Sequence, residues 1–458
     1  MTRRERAGYA AFHAKNLGNC EKFAERNCFF KKQPLPYMEK TKKDEMPQGI
    51  LIGCRADSLE PEQNSDEHSL EELAALLETA GGEVFACLEQ HRPSPDPKTY
   101  IGTGKLQEIK EILDANEDLS LVVFDNDLSP SQLRNIQEIL GVRVIDRAAL
   151  ILDIFAQRAG SAEGKLQVEL AQYKYLLPRL SGLGQSLSRL GGGIGTRGPG
   201  ESKLETDRRH IRARISKLEQ DIKDVCNNRA TARRKREKSG LPMVALVGYT
   251  NAGKSTLFNT LTGSDIAANN RLFDTLDPTT RPFEVDDKQK ALLSDTVGFI
   301  RRLPHHLIAA FVATLEELKY ADLVLLVLDI ADEQCEKQAE VVCKLVDELC
   351  ERDTPRLFVL NKADCALPHA PFTKEDNAVL VSAKTGEGID ALKEAIIQAL
   401  GRDKKTLEVT IPYNKAALVR LLHTEGLVQK EEYTGAGIVV KATVNAQLFG
   451  RLAKELEG

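Results

Sequence analysis

The sequence has no apolar run long enough to cross a membrane. A spanning helix needs about 20 consecutive apolar residues, whereas the longest apolar run here, LVLLVLDIA, has only the length of a β-strand. The first segment, MTRRERAGYAAFHAKNLGNC, also lacks the apolar core of a secretory signal. These absences predict a cytoplasmic protein without stable membrane insertion, and they leave association with the membrane periphery as the alternative.

The sequence also lacks an excess of positive charge. Its 63 Lys and Arg residues against 68 Asp and Glu residues give a net charge of −5. No global field therefore draws the chain to nucleic acid, and any RNA-binding surface must be local. The nine cysteines are odd in number and contain no CxxC pair, which argues against a disulfide framework or a zinc site and favours reduced thiols in a cytosol.

Length and composition are those of a multidomain globular protein. Apolar residues make up 42% and charged residues 29% of the 458 residues, and at about 150 residues per domain we expect roughly three domains. Residues 1–48 have little periodic pattern, and we expect a disordered extension there. The alternative is a start at Met38 or Met46, just before the first clear strand.

Residues 49–146 alternate short apolar runs with helical periodicity. The predicted strands are ILIGC, EVFACLE, LSLVVFDN and VRVID, with amphipathic helical segments between them. This alternation predicts a small α/β domain with a mostly parallel sheet. Its YIGTGK segment lacks the GxxxxGK[ST] spacing, so a glycine-rich loop before a helix is the preferred interpretation over a phosphate loop. An N-terminal ATPase stays open as an alternative.

Residues 147–240 predict a helical hairpin. Two apolar seams recur at steps of three, four and seven residues, which is typical of paired helices. The seams are Leu166, Leu170, Tyr173, Leu177 and Leu180, and Leu204, Ile211, Ile215, Leu218, Ile222 and Val225. Between them lies SGLGQSLSRLGGGIGTRGPG, whose only charges are Arg189 and Arg197. It is either a connector or a tip that touches RNA phosphates, and the later RRKREK tract is interpreted as a solvated face.

A phosphate loop follows near residue 243. MVALVG is a predicted strand, TNAGKST a sharp turn and LFNTLTG a helix, which is the context that such a loop requires. The predicted nucleotide-binding residues here are Gly248, Tyr249, Thr250, Asn251, Ala252, Gly253, Lys254 and Ser255. Backbone N–H groups would surround the β-phosphate at the helix N-terminus, Lys254 would reach the β- and γ-phosphates, and the Ser255 hydroxyl would bind Mg²⁺.

Two further motifs predict a sensor of the γ-phosphate. In FDTLDPTTR, Thr275 is the predicted switch threonine that completes the Mg²⁺ shell, with Thr279 and Thr280 as alternatives. In DTVG, Asp295 would lie beside the metal, and the N–H of Gly298 would meet the γ-phosphate. The predicted nucleotide-binding residues of the two motifs are Phe273, Asp274, Thr275, Leu276, Asp277, Asp295, Thr296, Val297 and Gly298.

Two motifs near the end of this region select the base. In NKAD, Asp364 offers two acceptor oxygens to guanine N1–H and the exocyclic amine, a pair of donors that adenine lacks. In SAK, the N–H of Ala383 would bond guanine O6. The predicted nucleotide-binding residues here are Asn361, Lys362, Ala363, Asp364, Ser382, Ala383 and Lys384. Residues 241–401 are therefore predicted to form a doubly wound α/β domain that binds GTP or GDP at the carboxyl ends of its strands.

The assigned roles follow from these positions. The candidate catalytic residues are Lys254, Asn251, Thr275 and Gly298, and the candidate Mg²⁺ ligands are Ser255, Thr275 and Asp295. Residues 402–458 predict a small C-terminal α/β domain, in which LEVTIP, VQKEEYTG and GIVVKATV are strands and NKAALVRLLHTEG and AQLFGRLAKEL are helices. It has no titratable cluster, so we expect it to dock a partner rather than to catalyse.

From about residue 49 onward the chain resembles the HflX family, bacterial GTPases related to Obg. The motifs that carry the resemblance are DNDLSPSQLRN, LILDIFAQRAGSAEGKLQVELAQYKYLLPRL, GGGIGTRGPGESKLETDRR, TLDPTTR and DTVGFIRRLP. The resemblance implies a GTPase that binds the large ribosomal subunit and its RNA, reaches toward the peptidyl-transferase region with its hairpin, and splits stalled or stress-arrested ribosomes. We expect a monomer and no DNA partner. Asp274 replaces the small residue of the family pattern, and we expect it to face solvent.

Phe299 stands where many GTPases carry a water-orienting glutamine. A phenyl ring has no donor or acceptor, so the catalytic assistance must come from elsewhere. Asn251 matches the residue that binds K⁺ in potassium-activated relatives such as MnmE, which makes K⁺ a candidate cofactor that stabilises developing charge. We expect slow turnover, raised by K⁺ and by the ribosome. The alternatives are an assembly factor for immature large subunits and a nucleotide-gated interaction module with negligible catalysis.

Overall fold

The computed structural model places three β-sheets within the residues that it describes. These residues are 47–60, 63–180, 199–237, 241–265, 272–273, 279–286, 290–302, 318–350, 354–365, 377–401, 404–425, 427–435, 437–445 and 452. The predicted disordered extension lies outside them up to residue 46. Within the described ranges, no helix is long and apolar enough to cross a membrane.

The first sheet is parallel throughout and has the strand order β2-β1-β3-β4. Its elements are β1 (Gln48–Ala56), α1 (Glu67–Thr79), β2 (Glu83–Arg92), α2 (Thr103–Asp114), β3 (Leu119–Phe124), α3 (Pro130–Leu140) and β4 (Arg143–Asp146). The four predicted strands and the helices between them are confirmed. Helix α1 packs on one face of the sheet, and α2 and α3 pack on the other.

The helix ends of this region follow from local sequence. The Asp66 side chain accepts a hydrogen bond from the N–H of Ser69, and the Ser69 side chain accepts one from the N–H of Asp66. The two residues thus form a capping box at the start of α1. Ser129 makes the same arrangement with Gln132, and Pro130 fixes the first turn of α3. Gly141 ends α3 with a φ of 75°, a conformation that favours glycine.

Helix α4 (Arg147–Arg158) begins at the end of β4, where the Asp146 side chain accepts from the N–H of Ala149 at 2.9 Å. Every residue from Arg147 to Phe155 is buried. A helix that is buried all round lies inside a protein rather than on its surface. Helix α4 belongs to one continuous apolar core with α1 and with residues of the second sheet, so it lies between the two sheets.

The predicted helical hairpin is present as α5 (Ala162–Arg179) and α6 (Pro199–Glu237). Leu170, Ile211 and Leu218 of the predicted seams are buried, and Arg214 makes a two-oxygen contact with Glu169 across the pair. At the base, the Tyr175 hydroxyl donates to Asp146 at 2.8 Å. The glycine-rich loop with Arg189 and Arg197 lies outside the described residues.

The second sheet has the order β10-β9-β8-β5-β7-β6, in which only the β6 pairing is antiparallel among the described strands. Its elements are β5 (Met243–Gly248), α7 (Lys254–Thr262), β6 (Thr279–Glu284), β7 (Lys290–Asp295), β8 (Leu323–Asp329), α8 (Cys335–Leu349), β9 (Arg356–Asn361), β10 (Ala378–Leu380) and α9 (Ile389–Gly401). Helices α7 and α9 cover one face and α8 covers the other. The predicted doubly wound α/β fold is confirmed, and its central strand β5 leads directly into the phosphate loop.

The third sheet is antiparallel, in the order β11-β13-β12. It consists of β11 (Lys404–Ile411), β12 (Leu427–Thr434) and β13 (Gly437–Asn445), with α10 (Ala417–Glu425) packed against it. The predicted last helix lies outside the described residues except for the buried Leu452.

Candidate nucleotide site

The phosphate loop joins the carboxyl end of β5 to the start of α7. Asn251 and Gly253 take φ values of 63° and 87°, so the chain turns sharply and its amides converge at the helix N-terminus. A Cβ on Gly253 would lie 2.3 Å from Asn361 Nδ2. Glycine is therefore required at this position for both conformation and space.

The Lys254 side chain lies beneath this loop. It is buried, and its ammonium donates to the carbonyls of Gly248 at 3.1 Å and Tyr249 at 2.8 Å. Burial lowers the pKa of Lys254 to about 8, and the nearby Asp295 carboxylate opposes that shift. A positive charge held in a buried position beside the loop suits the β- and γ-phosphates of a nucleotide.

Two of the three predicted metal ligands are adjacent. The Ser255 hydroxyl donates to the Asp295 carboxylate at 3.0 Å, which brings α7 and β7 together at one point. The third ligand, Thr275, lies outside the described residues together with Asp274, Leu276 and Asp277. The alternative threonines lie in strand β6, where the Thr280 hydroxyl donates to Ser294 at 3.2 Å.

Residues 295–302, called switch II from here on, lie against the phosphate loop. The Phe299 carbonyl accepts from the N–H of Thr250 at 2.7 Å, and its N–H donates to the Gly248 carbonyl at 3.1 Å. A Cβ on Gly298 would lie 3.0 Å from Lys254 Nζ. The Phe299 ring is 2% exposed and belongs to the core shared with α4, so this side chain has no route to an attacking water.

Several predicted nucleotide-binding residues direct their side chains elsewhere. The Thr296 hydroxyl donates to the Leu246 carbonyl at 2.6 Å, and Val297 is buried. The Phe273 ring packs edge-on against Phe155 of α4, with centroids 4.6 Å apart. The Tyr249 side chain leaves the loop altogether and is 4% exposed. Any contact of these residues with a nucleotide must therefore come from the backbone.

The base-selecting motifs form the other end of the site. Asn361 donates to the Ala252 carbonyl at 2.9 Å and accepts from the N–H of Ala383 at 2.9 Å, so it connects the phosphate loop with the SAK motif. The Ser382 hydroxyl donates to Asp364 at 2.6 Å, and this bond holds the pKa of Asp364 below its ordinary value. Because the N–H of Ala383 already donates to the Asn361 side chain, a guanine O6 would have to share this donor with Asn361.

The structure also shows residues that the sequence patterns missed. Together with Tyr249 of the phosphate loop, five of them form what we call the interdomain polar cluster: Glu72, Asp125, Arg147, Arg301 and Arg302. Two local signals point toward it. Asp125 stands directly after strand β3, and the paired arginines stand directly after DTVGFI. Neither signal identifies the partner, because the partners come from different sheets.

The chain matches four family models in succession. They are described as GTP-binding GTPase N-terminal (residues 67–156), GTP-binding GTPase Middle Region (158–236), 50S ribosome-binding GTPase (243–362) and HflX C-terminal domain (370–458). Together these matches cover most of the chain from α1 onward.

Curated relatives match over about four fifths of the chain. The GTPase HflX of Caldanaerobacter subterraneus is 47% identical over 387 residues, which cover 84% of this chain and 90% of the relative. The GTPase HflX of Escherichia coli is 43% identical over 374 residues, or 81% of this chain and 88% of the relative. A crystal structure of a GTP-binding protein from Sulfolobus solfataricus with GDP is 26% identical and covers 78% of this chain and 99% of its own, with a TM-score of 0.43. That score is too low to carry a comparison of folds, so the fold rests on the strand order above. With its own phosphate loop and base-selecting motifs in place and identities above 40% over four fifths of its length, the chain belongs to the HflX family of GTPases.

Proposed function

We propose that the chain is a GTP-hydrolysing switch that binds the large ribosomal subunit and separates stalled or stress-arrested ribosomes into subunits. The position of Asn361 is the observation that supports GTP binding and hydrolysis. Its side chain bonds Ala252 in the phosphate loop and Ala383 in the SAK motif. The phosphate end and the guanine end are thereby held as one rigid site at the carboxyl ends of the strands.

The side chains at the phosphate end fit Mg²⁺. Ser255 and Asp295 offer hard oxygen donors 3.0 Å apart, the type that this ion prefers, and Thr275 would add a third. When bound, Mg²⁺ neutralises charge on the β- and γ-phosphate oxygens. Lys254 contributes a further positive charge at the same place, so the chain's own part in hydrolysis is to position the γ-phosphate and to stabilise the charge that develops on it.

Activation of the site requires something other than a glutamine. Phe299 is buried in the core, so we assign charge stabilisation to K⁺ held by Asn251, which is exposed on the loop with a φ of 63°. The test compares hydrolysis in K⁺ and Na⁺ buffers. Asn251→Gly keeps the backbone conformation and removes the amide oxygen, so it should lose the advantage of K⁺. An unchanged K⁺ advantage in this variant would refute the assignment.

The hairpin supports the ribosomal part of the proposal. Helix α6 has 39 residues and at 1.5 Å per residue spans about 58 Å, long enough to place its first residue, Pro199, far from the nucleotide-binding domain (residues 241–401). The family model described as 50S ribosome-binding GTPase matches residues 243–362, which include the phosphate loop, switch II and Asn361. A nucleotide site combined with a long helical hairpin fits a protein whose binding to a large RNA partner depends on the bound nucleotide.

The decisive experiment measures hydrolysis and subunit separation together. Stalled ribosomes are incubated with the full chain and GTP, GDP or a non-hydrolysable GTP analogue, and the subunits are resolved on sucrose gradients. We expect large subunits to stimulate hydrolysis and free subunits to accumulate with GTP but not with GDP. Binding only to immature large subunits would instead identify an assembly factor. Separation with the analogue, without hydrolysis in any condition, would identify a nucleotide-gated module.

A further inference from the structure

Thr250 is the third residue of the phosphate loop GYTNAGKS. Its side chain is 7% exposed, and the hydroxyl oxygen is buried without a hydrogen-bond partner among the residues that the structure describes. Buried polar side chains are nearly always paired, so an exception requires an explanation. A hydroxyl in a phosphate loop has an evident one, because a bound nucleotide or its attacking water would supply the missing partner.

The backbone of Thr250 lies at the contact between the phosphate loop and switch II. Its N–H donates to the Phe299 carbonyl at 2.7 Å, and the Phe299 N–H donates to the Gly248 carbonyl at 3.1 Å. The two segments therefore run side by side as a short parallel bridge. This bridge holds the Thr250 backbone beside the residue that precedes Phe299, which is Gly298.

The side chains of Thr250 and Lys254 converge on Gly298. A Cβ built on Gly298 would lie 2.9 Å from the Thr250 methyl carbon Cγ2 and 3.0 Å from Lys254 Nζ. The Thr250 hydroxyl is attached to the same Cβ as this methyl group, so rotation about the Cα–Cβ bond exchanges the two between staggered positions. Lys254 and the N–H of Gly298 are the predicted ligands of the γ-phosphate. Thr250 therefore borders the group at which hydrolysis occurs.

A hydroxyl at this place can do what the buried Phe299 ring cannot. It has one donor and two acceptor lone pairs, so it can donate to a γ-phosphate oxygen and accept from the attacking water at the same time. The new bond forms between the water oxygen and the γ-phosphorus. The bond from that phosphorus to the β,γ-bridging oxygen breaks, its electron pair leaves with GDP, and a water proton passes to the released phosphate.

We propose that Thr250 is a catalytic residue whose hydroxyl orients the attacking water. The inference rests on GTP hydrolysis in the proposed function, but on neither the ribosome nor K⁺. Asn251, the next residue, is exposed on the loop and is assigned to the cation. Two neighbouring residues of one loop thus meet separate requirements of the reaction, since Thr250 places the nucleophile and Asn251 stabilises charge.

Single-turnover hydrolysis of GTP by the full chain in K⁺ buffer tests this role. Thr250→Val keeps the branched shape and removes the hydroxyl, whereas Thr250→Ser keeps the hydroxyl. We expect Thr250→Val to lower the rate constant by about 10- to 100-fold, as for the loss of one preorganised hydrogen bond in the transition state, and Thr250→Ser to lower it much less. Thr79→Val is the control, because it removes a hydroxyl that bonds the Ala75 carbonyl within helix α1, and it should leave the rate unchanged.

Two further measurements distinguish a catalytic hydroxyl from a structural one. In Thr250→Val, Kd for GDP and for the β,γ-imido analogue of GTP should change far less than the rate constant, because the bond to water matters mainly in the transition state. The urea midpoint should not fall, because a methyl group replaces a buried hydroxyl that had no partner. A rise of both Kd values by the factor that the rate loses would show that Thr250 supports the loop, and would overturn the inference.

The remaining outcomes are equally decisive. An unchanged rate in Thr250→Val, with a wild type that hydrolyses GTP, would overturn the inference and leave the proposed function intact. A wild type without hydrolysis in any buffer would overturn both. Thr250→Val should also keep the wild-type ratio of rates in K⁺ and Na⁺, and loss of that ratio would mean that Thr250 acts through the cation instead of the water. If Thr250→Val fails to fold, Thr250→Ala removes the same hydroxyl and should give the same loss of rate.

Discussion

The Tyr249 hydroxyl in the phosphate loop donates a 2.5 Å hydrogen bond to Glu72, which lies 177 residues earlier in helix α1. A side chain from a nucleotide-binding loop is thus used to connect two sheets. Burial and Glu72 both raise the pKa of Tyr249, so its proton is retained at neutral pH. The bond ties the geometry of the phosphate loop to the first sheet, and it lies within a set of buried charges centred on Arg147.

Arg147→Met should destabilise the chain strongly. The guanidinium is 1% exposed and pairs with Glu72 and Asp125. Methionine keeps the apolar stem but leaves two carboxylates without this partner, and breaking a buried pair from one side costs about 3–5 kcal/mol. Urea denaturation followed by circular dichroism measures the loss as a lower midpoint with an unchanged slope.

Lys174→Met is the matched control. Lys174 pairs with Glu219 across the hairpin, and the two side chains are 37% and 45% exposed. Exposed pairs contribute about 0–1 kcal/mol. If the two variants lost similar amounts of stability, the charges around Arg147 would not be a structural centre of the molecule.

Local patterns were enough to predict the elements and the order of the site motifs. Strand β5, the turn at Gly253 and helix α7 follow from an apolar run, a glycine and a helical period, which are all encoded within about 20 residues. The capping residues Asp66 and Ser129 are equally local. Asn361 was predicted as a residue of the nucleotide site because the NKAD motif follows a predicted strand.

The interdomain contacts could not be predicted in the same way. Apolar residues occur on all sides of helix α4, beside the buried Arg147 and Asp153, so its periodicity indicates no direction of packing, and we assigned it to the hairpin segment. Tyr249 and Phe273 were predicted to bind the nucleotide because of their position in motifs, yet their side chains meet Glu72 and Phe155. Such contacts depend on how two sheets pack together, and one sequence contains no periodic signal for that.

Gly253→Ala should abolish tight nucleotide binding. The position has a φ of 87°, and the new Cβ would lie 2.3 Å from Asn361 Nδ2. Asn361 would have to move, which would break its bond to the Ala252 carbonyl and separate the two ends of the site. We expect Kd for GDP to rise by at least about tenfold, the equivalent of one lost buried hydrogen bond with its strain. Isothermal titration calorimetry measures it.

Gly263→Ala separates conformational strain from crowding. This glycine ends helix α7 with a φ of 65°, and a Cβ there would meet nothing within 4 Å. The substitution should cost about 1–2 kcal/mol of stability through the left-handed conformation alone and leave Kd unchanged. Equal effects of both substitutions on Kd would contradict the role given to Asn361.

Ser382→Ala should weaken selection of guanine. The Ser382 hydroxyl donates to Asp364 at 2.6 Å and accepts from the N–H of Thr385 at 3.2 Å, so it orients the carboxylate that is predicted to receive two guanine donors. Loss of this bond should raise Kd for GDP by roughly 3- to 10-fold, as expected for one hydrogen bond.

Binding of inosine diphosphate tests whether Ser382→Ala acts through Asp364. Its base, hypoxanthine, lacks the exocyclic amine that Asp364 is predicted to accept from in guanine. The wild-type chain should prefer GDP over inosine diphosphate, and Ser382→Ala should reduce that preference. A variant that lost affinity for both nucleotides by the same factor would show that Ser382 supports the loop but does not orient Asp364.

Asp153→Asn should stabilise the chain at neutral pH. Asp153 lies in α4, is 8% exposed, and its Oδ2 has no hydrogen-bond partner among the described residues. Burial raises the pKa of Asp153 from 3.8 to about 6, although Arg143 opposes the shift. The folded state therefore binds this proton more tightly than the unfolded state. The contribution of this bound proton to stability is fully present below the pKa of Asp153 in the unfolded state. It is lost as the pH rises through the pKa of Asp153 in the folded state.

Because the wild type loses stability at Asp153 as the pH rises, Asp153→Asn should gain stability relative to it. Asparagine is neutral at every pH, so the variant should match the wild type near pH 4 and exceed it by about 3 kcal/mol above pH 7, since each pKa unit corresponds to about 1.4 kcal/mol. Urea midpoints measured at intervals between pH 4 and pH 8 give the difference directly. The rise should occur between pH 4 and pH 6, where only the unfolded carboxyl is ionised. A difference that was constant with pH would mean that the Asp153 carboxyl has the same pKa in the folded and unfolded states, and that the change acts through packing alone.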